Sequence, residues 1–196
     1  MQIFKTISLV LAVAFTSMSG HGSLAQDFNK GFKAYANGDF ATALKEWRPL
    51  AEQGDASAQY NLALMSRLGE GVPQDDAQAA KWFRKAAEQG KAAAQYNLGQ
   101  MYEDGEGVPQ DDAQAVEWYR KAAEQGEAAA QTNLGWMYAN GTGVPQDYAQ
   151  AVEWYRKAAE QGYAGAQYNL GGMYANGIGV PQDYAQAVEW YRKAAE

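Results

Sequence analysis

Cysteine is absent from the 196 residues, and histidine occurs once, as His21. The first absence removes disulfides, thiolate nucleophiles and cysteine metal sites together. His21 falls in a leader-like segment, so the rest of the chain has no imidazole for acid–base chemistry or metal binding. Serine is nearly lost as well. After residue 25 only Ser57 and Ser66 remain, and neither opens a Ser-x-x-Lys, because Tyr60 and Gly69 stand three residues on. Positive charge is also short. Residues 1–25 hold one lysine and no acid, which leaves 15 basic against 23 acidic residues in the remainder. A surface that negative repels phosphate backbones, so nucleic acid is not an expected partner. These shortages predict no catalytic residue, no metal site and no cofactor. Proline is scarce at 5, whereas glycine is plentiful at 21, and the 47% hydrophobic content is that of a globular chain.

Residues 1–25 read as a secretory signal peptide. Lys5 supplies a positive start, Ile7 to Phe15 form a short apolar run, and Ser23-Leu24-Ala25 offer small residues before a cleavage site. Gly20 and Gly22 interrupt the apolar character. The run is too short for a bilayer core that needs about 20 residues. No cysteine follows it, so lipid attachment at an N-terminal cysteine is excluded. The expectation is an exported protein, periplasmic or secreted, most simply in a bacterial envelope, with no membrane span after cleavage.

Internal repetition dominates residues 26–196. Gly-Val-Pro-Gln-Asp begins at Gly71, Gly107, Gly143 and Gly179, each 36 residues after the last, and Glu-Gln-Gly ends at Gly54, Gly90, Gly126 and Gly162 with the same period. Five units follow: 27–54, 55–90, 91–126, 127–162 and 163–196. Each reads as two helices. In the fourth, Ala130, Asn133, Leu134, Met137 and Tyr138 share one helical face, and Tyr148, Ala151, Val152, Tyr155, Ala158 and Ala159 share another. Gly141 and Gly143 suit a left-handed helix end, and Pro145 blocks continuation. Asp147 with Gln150 predicts a capping box, as do Asp75/Gln78, Asp111/Gln114 and Asp183/Gln186. Gly162 closes the second helix. Ala63, Gly99, Gly135 and Gly171 are small mid-helix residues, which predicts a close approach by Trp118, Tyr119, Trp154 or Tyr155 of adjacent units. No alternating strand pattern occurs.

The run from Ala92 to Tyr102, the Gly-x-Gly-Val-Pro-Gln-Asp loop and the following helix through Gly126 resemble the Sel1-like repeat family, relatives of tetratricopeptide repeats. The likeness covers about 55–196. Residues 27–54 depart from it: Asn37-Gly38-Asp39 replaces the long loop, and Pro49 is expected to interrupt the second helix. That unit is more similar to a tetratricopeptide hairpin and suits an N-terminal cap. The resemblance implies an all-α, right-handed α-solenoid of helix-turn-helix repeats with a 36-residue period. It also implies binding of a protein or peptide, as a scaffold or adaptor, rather than catalysis. Some cysteine-rich relatives of this kind are β-lactam hydrolases, so a cell-wall-related hydrolase is one alternative, set against the missing cysteine and Ser-x-x-Lys. A structural envelope spacer is the other. Asp75-Asp76 and Asp111-Asp112 are read as helix caps.

Comparing copies within the chain locates a candidate surface. The second helices are nearly invariant. The first helices differ at Tyr60/Tyr96/Thr132/Tyr168, at Leu64/Gln100/Trp136/Gly172 and at Arg67/Glu103/Ala139/Ala175, spaced i, i+4, i+7 on one helix face. First helices of such pairs line a concave surface, and large aromatic residues typify binding hot spots. Tyr60, Leu64, Arg67, Tyr96, Gln100, Glu103, Thr132, Trp136 and Tyr168 are therefore the candidate partner-binding residues, with Trp136 foremost. Trp190, Tyr191 and Ala194 are expected to border an uncovered stacking face in the last helix, which suggests end-to-end self-association.

Overall fold

The computed structural model describes the backbone of residues 20–196 and side chains from residue 27. The apolar run and most of the leader therefore lie outside the described residues. Among the described residues ten helices follow one another: α1 (Gly20–Ala36), α2 (Phe40–Glu52), α3 (Ala56–Leu68), α4 (Asp76–Glu88), α5 (Ala92–Asp104), α6 (Asp112–Glu124), α7 (Ala128–Asn140), α8 (Tyr148–Glu160), α9 (Ala164–Asn176) and α10 (Tyr184–Ala194). Among the described residues there is no strand. Each helix packs chiefly on the one before it and the one after it. The result is a solenoid of five hairpins, whose core is a chain of clusters rather than one centre. Among the described residues no helix is long and apolar enough to cross a membrane.

The caps explain where helices start. Asp75, Asp111, Asp147 and Asp183 each accept the backbone N–H three residues on. The expected capping box is only half made. The aspartate's own N–H does not receive a glutamine side chain; it donates to a carbonyl in the last turn of the preceding helix, as Asp147 does to Tyr138 at 2.9 Å. One residue thus starts the second helix and ties it to the first. At the other end, Gly141 takes a left-handed φ of 70° and its N–H returns to the Met137 carbonyl. Gly143, at φ 66°, has a second duty. A Cβ there would meet the Asp112 carbonyl oxygen of the previous hairpin at 2.3 Å, so only glycine lets the loop dock on its neighbour.

Two expectations are corrected. Pro49 does not interrupt its helix, since α2 runs through it to Glu52. Proline's fixed φ is helical, and burial of Trp47, Leu50 and Ala51 around it offsets the lost hydrogen bond. The mid-helix glycines Gly99, Gly135 and Gly171 face tyrosines, not tryptophans, and tyrosines of their own hairpin rather than an adjacent one. A Cβ on Gly99 would lie 2.7 Å from the Tyr119 ring, and one on Gly135 or Gly171 would lie 2.9 Å from Tyr155 or Tyr191. The tryptophans reach instead towards the preceding hairpin: Trp118 packs with Ala79, Phe83 and Leu98. Trp82, Trp118, Trp154 and Trp190 are each topped by a lysine three residues on, with Lys121 Nζ 4.1 Å from the Trp118 ring centre and Lys157 4.0 Å from Trp154.

Buried glutamines fix the register between hairpins. Gln59, Gln95, Gln131 and Gln167 each donate to a carbonyl of the preceding second helix, at 2.9–3.1 Å. Gln89, Gln125 and Gln161 then donate to the first three of these at 2.7–2.8 Å. Gln59, Gln95 and Gln131 so bridge three helices each, and a buried amide without partners would cost about 1–3 kcal/mol.

Candidate functional site

The first helices α3, α5, α7 and α9 alternate with the second helices along the solenoid. Tyr60 in α3 lies within electrostatic reach of Glu127 at the start of α7, and Tyr96 in α5 within reach of Tyr163 at the start of α9. Each of these pairs skips a whole hairpin, so the first helices lie along one shared side of the solenoid. The candidate residues all stand on α3, α5, α7 and α9 and so belong to this side.

Their environments differ. Trp136 is 45% exposed and Tyr168 is 64% exposed, although Tyr168 also leans on Tyr191 with ring centres 5.4 Å apart. Tyr60 and Tyr96 are half-buried, and each rests its ring on the second helix of its hairpin, on Phe83 at 5.7 Å and on Tyr119 at 5.8 Å. Burial raises the hydroxyl pKa of both above the ordinary tyrosine value. Leu64 is half-buried against the core cluster around Phe83. Thr132 is buried, and its hydroxyl donates to the Ala128 carbonyl at 2.8 Å. Gln100 donates to the Tyr96 hydroxyl at 3.0 Å.

The two charged candidates are already engaged. Arg67 bonds Glu106 at 2.9 Å and the Asn97 side chain at 3.4 Å, which links α3 to the next hairpin. Glu103 accepts from the Tyr119 hydroxyl at 2.6 Å. That acceptance suits a column of partners: Tyr119 has its hydroxyl opposite Glu103, whereas Phe83, opposite Arg67, has none. Burial and then the Glu103 hydrogen bond hold the Tyr119 hydroxyl strongly in its protonated form.

A further column belongs to the same surface and escaped the sequence reading. Asp55, Lys91, Glu127 and Tyr163 are the residues preceding the four first helices. Asp55 caps its helix; the other three make no side-chain cap. Lys91 turns inward instead, with Nζ 5.3 Å from the Tyr60 ring centre and 3.2 Å from the Ser57 hydroxyl. Tyr163 is 41% exposed and adds an aromatic ring to those of Trp136 and Tyr168. The signal was present: this position varies between copies as freely as the 60, 64 and 67 columns do.

Chemically the surface offers aromatic faces and amide and carboxylate groups, arranged along consecutive parallel helices.

The comparisons agree with this geometry. The family model described as Sel1 repeat matches residues 56–91, 92–127, 128–163 and 164–196. Among solved structures, the chain is similar to c5321, a protective antigen of uropathogenic Escherichia coli strains with an SLR fold, at 44% identity and a TM-score of 0.86, over 90% of this chain and 39% of that one. A Sel1 repeat protein from Oxalobacter formigenes is similar at 37% identity and a TM-score of 0.82, over 86% and 69%. The cysteine-rich protein B of Helicobacter pylori is similar at 25% identity and a TM-score of 0.51, over 65% and 92%. A curated relative, the exopolysaccharide production negative regulator of Rhizobium leguminosarum bv. viciae, is 45% identical over 49 residues, which is 25% of this chain and 18% of that protein. The chain therefore spans a small part of that regulator and well under half of the E. coli antigen. Proteins of this repeat are generally scaffolds that mediate protein–protein contact rather than enzymes, and are often exported or in the bacterial envelope. With four copies matched across residues 56–196, the chain belongs to the Sel1 repeat family.

Proposed function

We propose that the protein is an exported scaffold that binds a protein or peptide along the inner face of its first helices. The observation that supports this most is the exposure of Trp136, at a position that the other copies fill with Leu64, Gln100 and Gly172, together with the exposed ring of Tyr168. A stacking position would be buried and constant, as Ala79, Ala115, Ala151 and Ala187 are on the second helices. Exposed, rigid aromatic side chains on a preformed surface bind with little loss of conformational freedom. Tyr60, Leu64, Arg67, Tyr96, Gln100, Glu103 and Thr132 shape the face around them. Export rests on the leader pattern of residues 1–25, and N-terminal sequencing of the native protein, with a start at Gln26, checks it.

The test is affinity capture from envelope extracts with wild type and a Trp136→Ala, Tyr168→Ala double variant. The reading expects a partner held by wild type and lost by the variant, with melting temperatures that agree. Equal capture by both proteins overturns it. The cell-wall hydrolase alternative is separated by incubation with a chromogenic β-lactam, where the scaffold reading expects no turnover.

A further inference from the structure

Charge is unevenly shared between the two helices of each hairpin. From residue 55 on, the second-helix stretches 76–90, 112–126, 148–162 and 184–196 hold nine acidic and nine basic residues. The first helices with their loops, 55–75, 91–111, 127–147 and 163–183, hold ten acidic residues and only two basic ones, Arg67 and Lys91. Five of the ten are the capping aspartates Asp55, Asp75, Asp111, Asp147 and Asp183, committed to helix ends. Glu103 and Glu127 remain on the first-helix side near Tyr96, whose hydroxyl both influence, with Arg67 tied to Glu106 close by.

The chain itself shows what such a place accepts. In the second hairpin the Tyr60 ring is covered by Lys91, the residue 31 positions on. One repeat later Tyr96 stands where Tyr60 stood, and Glu127 stands where Lys91 stood. The ring is retained, the covering cation is gone, and a carboxylate takes its place. Among the described residues no lysine or arginine lies over Tyr96, while six other rings carry one. Nor is this a metal cage, since no group of three acids gathers among the described residues.

Resting on the scaffold reading above, we propose that the Tyr96 ring, flanked by Glu103 and Glu127, receives a lysine or arginine side chain of the bound segment, with Trp136 and Tyr168 receiving its apolar neighbours. The ring supplies a cation–π face and the carboxylates supply the opposite charge. Each first helix packs chiefly on the second helices before and after it, so the partner is an extended segment in which cationic and apolar residues both recur.

The experiment measures fluorescence anisotropy of labelled peptides repeating Lys-Leu-Ser, Gln-Leu-Ser or Glu-Leu-Ser, with the full protein. The lysine peptide is expected to bind at least about tenfold tighter than the glutamate peptide at low salt. Glu127→Gln, at a side chain that makes no cap, is expected to cost the lysine peptide about threefold to tenfold and to leave the glutamine peptide unchanged. Glu127→Lys rebuilds the Lys91–Tyr60 arrangement and is expected to abolish the preference. Glu153→Gln, the same charge change on a second helix, is the control for non-specific attraction. The inference is overturned if Glu153→Gln and Glu127→Gln cost the same, if the preference survives Glu127→Lys, or if no peptide binds. A failure of the scaffold reading looks different: binding of the glutamine peptide that Trp136→Ala does not weaken.

Discussion

Gln131 shows how much of this fold rests on single side chains. It donates to the Ala123 carbonyl and accepts from Gln161, so three helices meet at one buried amide. Gln131→Leu removes both of these bonds, while the Ala123 carbonyl keeps the Gly126 N–H and the Gln161 amide keeps the Lys157 carbonyl, so it is expected to lower unfolding free energy by about 1–2 kcal/mol in urea titrations, from two lost hydrogen bonds. Gly135→Ala runs against helix propensity. Alanine gains about 1 kcal/mol in a helix interior, but the added methyl would sit 2.9 Å from the buried Tyr155 ring. Overpacking of about 1–3 kcal/mol therefore wins, and the variant is expected to melt earlier. Tyrosine titration gives a third check. Burial pushes the Tyr155 hydroxyl up to about 12, and the Glu70 hydrogen bond with burial does the same for Tyr35. A raised folded pKa means the neutral form is favoured in the folded state, so this stability is whole below about pH 10 and is lost as pH rises towards about 12. Stability measured between pH 9 and pH 12 is expected to fall along that window, while Tyr155→Phe flattens part of the fall.

Among the elements, the loop between the two helices of a hairpin is the joint that sets the stack. Gly143 presses on the backbone of Asp112, and Gly107 on that of Asp76. A left-handed φ and backbone contact together leave no room for a side chain, so Gly143→Ala is expected to cost more than about 2 kcal/mol, whereas Asp147→Ala, which removes a cap, costs about 1 kcal/mol. Thermal unfolding of the two variants side by side checks the order. This joint was legible in the sequence in part. The glycines and the aspartate announced a helix end and a helix start. Their second contacts, across to the neighbouring hairpin and back to the preceding helix, were not announced, because they depend on how hairpins stack. For the same reason the tyrosines rather than the tryptophans were found against Gly99 and Gly135. Both ring types stand side by side in the sequence, and only packing tells which turns inward to its own hairpin. Pro49 was misjudged because its local rule was outweighed by burial of Trp47 and Leu50.

The whole molecule separates two tasks that a compact domain would mix. Hairpins stack through each second helix and the first helix that follows it, while on α3, α5, α7 and α9 variation gathers in the columns that begin at residues 60, 64 and 67. The solenoid itself was readable from the 36-residue period alone, since a hairpin with two apolar faces needs a neighbour on each side. The surface was less readable. Comparison of copies found the varying columns, yet exposure at a varying position depends on the residue's own size and on its neighbours. Trp136 stands clear, Thr132 at another varying position is buried, and Arg67 and Glu103 are held by partners within the chain. Trp136→Ala is accordingly expected to weaken partner binding with little change in melting temperature. Tyr96→Ala is expected to lose both binding and about 1–3 kcal/mol of stability, because its ring rests on Tyr119.

Hydrogen–deuterium exchange of the protein with and without its captured partner tests this division most directly. The account predicts added protection in Ala92–Asp104, Ala128–Asn140 and Ala164–Asn176, with the second helices unchanged. Protection concentrated in Asp112–Glu124 and Tyr148–Glu160 would contradict it.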